Sequence, residues 1–265
     1  MSNSLSIRLK SKLLSWSTVL GILVGFALLM WFPVTNWLQY NRLIGPASFS
    51  QMCSDFVNEV LVAHAQSGFD LFAPIFAVLP SVTIFCDDYN SGYIKSILCR
   101  SSKRKYITNC IVCCSISGGL AVLLPDLLCS SIFMLVSDPH LPDAYGSSFA
   151  LYSNIEFVWG GRLLILVFLS FSFLFGVVWA NIGLCISAYA PNKFIALAAP
   201  FALYYGATLI LQRTGYFAIL APENMIQPTY AELPNLFFPL IYQLLLLCGA
   251  LILFCKRINR RLQNV

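Results

Sequence analysis

The chain contains 265 residues, of which 58% are hydrophobic and only 10% are charged. Soluble domains usually carry about 25% charged residues, so this composition excludes an ordinary soluble protein and favours an integral membrane protein. The net charge of +5 does not predict nucleic-acid binding, because most of the basic residues flank long apolar segments.

Six apolar segments are close to the length of about 20 residues that a helix needs to cross a bilayer. We therefore predict an all-α integral membrane protein with six transmembrane helices. No remaining stretch is long enough for a soluble domain, so residues 1–265 are expected to form a single transmembrane domain. The first segment is too long for the core of a cleaved signal peptide and is expected to remain as a span. The predicted spans are 14–34, 69–86, 110–136, 163–188, 194–212 and 236–255.

The charged residues predict the orientation of these spans. If the N-terminus is cytoplasmic, 13 of the 16 basic residues lie in cytoplasmic segments, and eight of the eleven acidic residues lie in outer segments. Basic residues are retained in the cytoplasm during insertion, so both termini are expected to be cytoplasmic. The inner basic residues are Arg8, Lys10, Lys12, Lys95, Arg100, Lys103, Arg104, Lys105, Lys193, Lys256, Arg257, Arg260 and Arg261, whereas Arg42, Arg162 and Arg213 are outer.

Two segments next to the spans have helical periodicity. Near the N-terminus, Leu5, Leu9 and Leu13 recur on one helical face, which predicts a short basic amphipathic helix on the inner membrane surface. The alternative is a basic tail that only sets the orientation. Residues 52–63 predict a second helix, on the outer surface.

Residues that commonly bind metals or catalyse reactions give no such signal here. Most of the ten cysteines fall in predicted spans, and Cys110, Cys113 and Cys114 are interpreted as small packing residues. His64 and His140 are each isolated from other candidate ligands and are expected to have only surface roles. Catalytic motifs and a phosphate-binding loop are missing from the sequence, so we predict no enzymatic activity, no metal and no cofactor in this chain.

The predicted inner loop between spans two and three has a distinct pattern. It begins with the acidic pair Asp87 and Asp88, continues through a glycine, and then places apolar residues at helical spacing. Basic residues follow up to the start of the third span. A topology signal with a solvated face is the alternative to a functional helix. The apolar positions are Tyr93, Ile94, Ile97 and Leu98.

This loop resembles the permease subunit of type-two ABC transporters. In that family an acidic pair, a glycine, a basic and apolar helix and an Arg-x-x-x-Arg-x-Tyr pattern lead into the third span. The chain departs from the family in having Asp where many members have Glu, and in lacking a proline before the arginine. The matching residues are Asp87, Asp88, Gly92, Tyr93, Lys95, Arg100, Arg104 and Tyr106.

The resemblance implies a mechanism and partners. Such permeases pair with a second permease, identical or related, and bind two ATP-binding subunits that hold ATP and Mg. The loop helix docks on the ATPase: Tyr93, Ile97 and Leu98 would be buried there, and Lys95 and Arg100 would contact acidic residues. The short outer segments resemble those of bacterial exporters of amphipathic antimicrobial peptides in the plasma membrane. The alternatives are an ion-coupled secondary transporter and a non-transporting membrane assembly protein.

Asp126 is the one acidic residue predicted deep inside a span. A charge near the bilayer centre is costly and is functional by default, so Asp126 is expected to face a cargo path, a polar cavity or the partner permease. The alternative is that the helix breaks at Pro125 and that Asp126 caps its second part.

Overall fold

The computed structural model describes residues 2–45, 49, 56–80, 82–100, 102–136, 161–215, 217–226 and 237–261. These residues form helices and turns, and none of them lies in a strand. The helices are α1 (Ser2–Leu13), α2 (Trp16–Leu43), α3 (Phe56–Ser67), α4 (Phe69–Val78), α5 (Ile84–Asn90), α6 (Tyr93–Arg100), α7 (Lys103–Val136), α8 (Gly161–Tyr189), α9 (Lys193–Arg213) and α10 (Phe237–Arg261), with 3-10 turns at Ala218–Leu220 and Pro222–Met225.

Five of these helices, α2, α7, α8, α9 and α10, are long and apolar enough to cross a membrane. A sixth crossing exists if α3 and α4, which are bent by 79° relative to each other, form one broken span. Among the described residues, the prediction of an all-α chain with five or six helices that could span a membrane is confirmed. Helices α8 and α9 match the predicted segments closely, whereas α2 and α7 extend further, at the C-terminus of α2 and the N-terminus of α7.

The predicted second span, 69–86, is not one helix. Helix α4 ends at Val78, and a turn separates it from α5, which begins at Ile84. Pro80 lies in this turn and lacks the amide hydrogen that would continue the helical ladder. Residues 69–86 are therefore divided between α4, the turn and the first part of α5.

The elbow between α3 and α4 depends on two residues. Gly68 has φ +67°, a left-handed conformation that suits glycine. The Ser67 hydroxyl donates to the carbonyl of His64 at 2.9 Å and accepts from the amide of Phe69 at 3.1 Å. These contacts fold α3 back against the core. A helix therefore lies where the sequence predicts one, and its residues Val60, Leu61 and Ala63 are buried against the rest of the chain.

Helices α7 and α8 form the centre of the bundle, and their backbones approach closely. A Cβ atom added at Gly176 would lie 2.5 Å from the carbonyl oxygen of Gly118 and 2.9 Å from the Cα of Gly119. A Cβ added at Gly118 would lie 2.3 Å from the Cβ of Ala180. Small residues at such positions permit close packing between membrane helices. Gly118 and Gly119 of α7 and Gly176 of α8 occupy such positions.

The described part of the segment between α9 and α10 packs on the helices. Ala221, Met225 and Ile226 are buried, and the Gln243 side chain of α10 donates to the carbonyl of Met225. The described part of this segment is therefore not a free loop. Residues 227–235 lie outside the described part.

We predict that Gly176→Ala destabilises the bundle by about 1–3 kcal/mol, the usual effect of overpacking a close contact. Its new methyl group would meet backbone atoms, which move less readily than side chains. Gly206→Ala is the matched control, because a Cβ at Gly206 meets nothing within 4 Å. Thermal unfolding in detergent should show a lower midpoint for Gly176→Ala only. Equal midpoints for both variants would contradict the close α7–α8 contact.

Candidate functional site

The acidic pair Asp87 and Asp88 lies at one end of the bundle, where it contacts two other helices through ion pairs. Asp88 Oδ2 is 3.2 Å from Arg8 Nη1 of α1. Asp87 Oδ1 is 2.6 Å from Lys193 Nζ of α9, and its Oδ2 is 3.7 Å from Lys12 Nζ. We call this the basic end of the bundle, because the described residues Arg8, Lys12, Lys103, Lys193, Arg257 and Arg261 gather there.

Asp88 also holds the start of α7. The hydroxyl of Tyr106, which is buried, donates to Asp88 Oδ2 at 3.1 Å. Burial alone would lower the pKa of Arg8, but the charge of Asp88 opposes this effect and the net direction is upward. Arg8 therefore remains cationic, and the contact joins α1, α5 and α7. A cavity of about 130 Å³ lies among Arg8, Lys12, Ile84, Asp87 and Asp88.

Helix α6 begins directly after Gly92, whose φ of +70° reverses the chain between α5 and α6. Ile94 is buried, and Ile97 packs against the same apolar cluster as Phe85 and Phe254. Ile97 is only partly buried there, and the expectation that an ATPase covers it stays a prediction. The side chains of Leu98 and Arg100 lie outside the described part.

The opposite face of α6 is accessible. Tyr93 is 53% exposed. Lys95, Ser96 and Cys99 are exposed on the same helix. Arg104 is exposed at the start of α7. Of the residues expected to bind an ATPase, Tyr93, Lys95 and Arg104 thus lie at the surface, whereas Asp87 and Asp88 are engaged within the chain.

Further contacts join α5 and α7 to the C-terminal helices at the basic end. The Asn90 side chain donates to the carbonyl of Pro191 at 3.0 Å. Arg261 donates to the carbonyl of Tyr189 at 2.7 Å and lies over the ring of Tyr89. Lys103 Nζ donates to the carbonyl of Asn259 at 2.9 Å. The segment around α6 is therefore anchored on both sides.

Asp126 lies within α7, far along the helix from the basic end, and is 2% exposed. Helix α7 continues through Pro125, so Asp126 does not cap a second helix, and that alternative is wrong. Asp126 Oδ1 is 3.5 Å from His64 Nε2, and the buried Ser172 of α8 lies near the same carboxyl. Asp126 is enclosed by its own chain, whereas the expectation places it on a cargo path, in a polar cavity or against a partner permease.

His64 is buried, whereas its isolation in the sequence predicts a surface role. It is 1% exposed, and its Nδ1 is 3.0 Å from Asp70 Oδ1. The rings of Phe69 and Phe168 pack around it, with centroid distances of 5.3 and 5.1 Å. His64 and Asp126 are 62 positions apart, so only the fold brings them together. A signal was available in the sequence: Asp70 follows His64 after a Ser-Gly pair that is typical of a turn. His140 lies outside the described residues.

The cysteines of α7 serve as packing residues. Cys110, Cys113 and Cys114 are buried, and the Cys114 thiol donates to the carbonyl of Ala180 at 3.3 Å. Among the described residues, no group of three or more His, Cys, Asp or Glu side chains forms a metal site.

Comparisons with protein-family models, with curated proteins and with solved structures find no match to this chain.

We predict that a charge exchange between Arg8 and Asp88 restores stability that each single change removes. Arg8→Asp and Asp88→Arg each place like charges together, whereas the double variant re-forms an opposite pair. The coupling energy for a partly exposed pair should be about 0.5–1 kcal/mol. Thermal unfolding of the two single variants and the double variant measures it. Lys10→Asp, at an exposed position of the same helix, is the control. A double variant whose loss equals the sum of the single losses would contradict the contact.

Proposed function

We propose that this chain is the membrane-spanning permease subunit of an ATP-binding-cassette exporter of the type-two class, driven by separate ATPase subunits. The observation that carries the proposal is α6, a short helix between apolar helices at the basic end of the bundle. One face of α6 packs on the core, and the other presents Tyr93 and Lys95. An exposed aromatic residue beside a cation suits an interface with an acidic rim.

The contacts around α6 suit the transmission of movement. Helix α5 precedes α6 and is paired through Asp87 and Asp88 with α1 and α9. Helix α7 follows α6, starting at Lys103, and packs along α8 through the glycine contact. A displacement of α6 by an ATPase would therefore reach three helices of the bundle without unfolding any of them.

The proposed orientation places the basic end in the cytoplasm. Basic residues are enriched there, as the positive-inside rule requires, and ATP-binding subunits must dock from that side. With α3 and α4 as one broken span, the chain would cross the membrane six times with both termini in the cytoplasm. Helix α1 would lie at the inner surface of a bacterial plasma membrane.

The proposed assembly contains two permeases, identical or related, and two ATP-binding subunits that hold ATP and Mg. The cargo class is an amphipathic antimicrobial peptide or drug that enters from the bilayer. Apolar side chains exposed on α2, α9 and α10, among them Trp31, Ile210 and Leu245, would face lipid, cargo or the second permease.

An ion-coupled secondary transporter is the second candidate, and one observation favours it. Ionisable groups inside membrane segments often form ion or proton pathways, and His64 lies between two carboxyl groups. The two candidates differ in energy source. The exporter requires a bound ATP-hydrolysing partner, whereas the secondary transporter requires none.

We predict that Tyr93→Asp reduces recovery of an ATP-hydrolysing subunit with the affinity-tagged chain by about tenfold or more, which corresponds to about 1.4 kcal/mol or more of binding free energy. The added charge would be buried at the interface without a partner. Asn259→Asp, which adds the same charge at an exposed site of α10, is the matched control. The measurement is quantitative purification from the native host, with membrane insertion checked separately. Full recovery with Tyr93→Asp, or no ATP-hydrolysing subunit with the unaltered chain, would reject the proposal.

The orientation predicts sidedness of thiol labelling. Single cysteines introduced at Asn3 and Ser147, in a chain whose ten native cysteines are replaced by alanine, should react differently with an impermeant reagent. In intact cells the site at Ser147 should be labelled and the site at Asn3 should not. Labelling of the Asn3 site from outside would reverse the proposed orientation.

A further inference from the structure

We propose that His64, held between Asp70 and Asp126, is a proton-binding site within the membrane part of the chain. The three residues come from α3, α4 and α7, and the elbow at Gly68 brings the first two together. The proposal does not depend on the energy source of the transporter, because it concerns only which groups in this chain hold a proton.

The hydrogen-bond donors and acceptors of His64, Asp70 and Asp126 match only if the site binds one additional proton. Each ring nitrogen of His64 faces a carboxyl oxygen, Asp70 Oδ1 at 3.0 Å and Asp126 Oδ1 at 3.5 Å. A neutral imidazole has one N–H, and its other nitrogen is only an acceptor. Opposite two ionised carboxylates, that second nitrogen would repel an oxygen. One additional proton, on the imidazole or on a carboxyl group, removes the repulsion.

The surroundings keep this proton inside the site. The side chains of His64 and Asp126 are each 1% exposed, and the rings of Phe69 and Phe168 cover the imidazole. A net charge in such a place is costly, and the excess of negative charge is smallest when the proton is bound. The site then contains one cation and two anions in place of two anions alone.

Other polar groups near the site come from α7, α8, α9 and the 3-10 turn at Pro222–Met225, and from α3 itself. Ser172 of α8 and Cys129 of α7 lie near Asp126. Asp70 interacts electrostatically with Tyr204 of α9 and with Glu223 of the 3-10 turn. On α3 itself, Glu59 is the other titratable group among residues whose side chains are described. Among these groups the imidazole of His64 is the basic one.

Asp70 gives the proton a route to water. Its side chain is 26% exposed, in contrast to those of His64 and Asp126. A proton from hydronium would bind first to Asp70, pass to His64 Nδ1 and so supply the second N–H, leaving water behind. Release follows the reverse path. Loss of the proton from Nδ1 would weaken the contact with Asp70 that joins α3 to α4, so the elbow would loosen as the pH rises.

The test uses the small number of histidines in the chain, which is two. In a His140→Gln variant, His64 is the only histidine, and nitrogen-15 labelling of histidine reports its protonation directly by NMR. The full chain is studied in lipid nanodiscs at neutral pH. Infrared spectra of the same sample, compared with those of Asp70→Asn and Asp126→Asn, identify any protonated carboxyl group.

We expect either a doubly protonated imidazole or a carboxylic-acid band that disappears in one of the two Asn variants. The Asp70→Asn, Asp126→Asn double variant should lose the additional proton and hold a neutral imidazole. Glu223→Gln, which removes a nearby charge without contacting His64, should leave the proton in place. A neutral imidazole in the unaltered site together with no carboxylic-acid band from Asp70 or Asp126 would overturn the proposal. Because these readouts need no ATPase, they stand apart from the test of the exporter.

Discussion

The close approach of α7 to α8 is the contact on which the rest of the bundle depends. Water does not drive membrane helices together, so their association relies on tight packing and on polar contacts. Gly118 and Gly176 allow the two backbones to meet where any side chain would collide. Helix α7 then reaches from Tyr106 at the basic end to Asp126 and Phe133, and both polar regions of the molecule are built on it.

The two polar regions, the basic end and the surroundings of His64, reduce the cost of charged groups in different ways. At the basic end, Arg8, Lys12 and Lys193 meet the two acidic residues where side chains remain partly accessible, so desolvation is limited and the ion pairs are individually weak. Around His64 the groups are almost fully buried, and a lone carboxylate such as Asp126 would be expensive. Pairing with an imidazole reduces that cost and also creates a titratable contact. The first arrangement suits docking and mechanical linkage, and the second suits proton exchange.

The structure also changes how α6 can act. Because Ile94 and Ile97 turn inward, this helix is fixed to the bundle by its apolar side and offers a mixed surface of Tyr93, Lys95, Ser96 and Cys99. A helix fixed in this way moves together with α5 and α7. A flexible loop in the place of α6 would change its own shape and would not transmit the movement to α5 and α7.

The sequence predicts the features that depend on local composition. Apolar length is sufficient to place α8 and α9 within a few residues, and periodicity is sufficient to identify α1 and α6 as helices. Long-range pairing cannot be read in this way: Arg8 and Asp88 are 80 positions apart, and no pattern in either segment identifies the other. The same holds for His64, which looks isolated in the sequence because its partner Asp126 lies on a different helix. The sequence does not reveal the break at Pro80, because residues 69–86 are mostly apolar and composition does not distinguish a straight span from a bent one.

The central claim is that the chain couples ATP hydrolysis by another subunit to movement within the membrane. The most direct test is the rate of ATP hydrolysis by the co-purified ATP-binding subunit in sealed lipid vesicles, measured with and without this chain. The account predicts that the chain changes this rate and that Tyr93→Asp abolishes the change while Asn259→Asp preserves it. The same rate in vesicles with and without the chain would contradict the account.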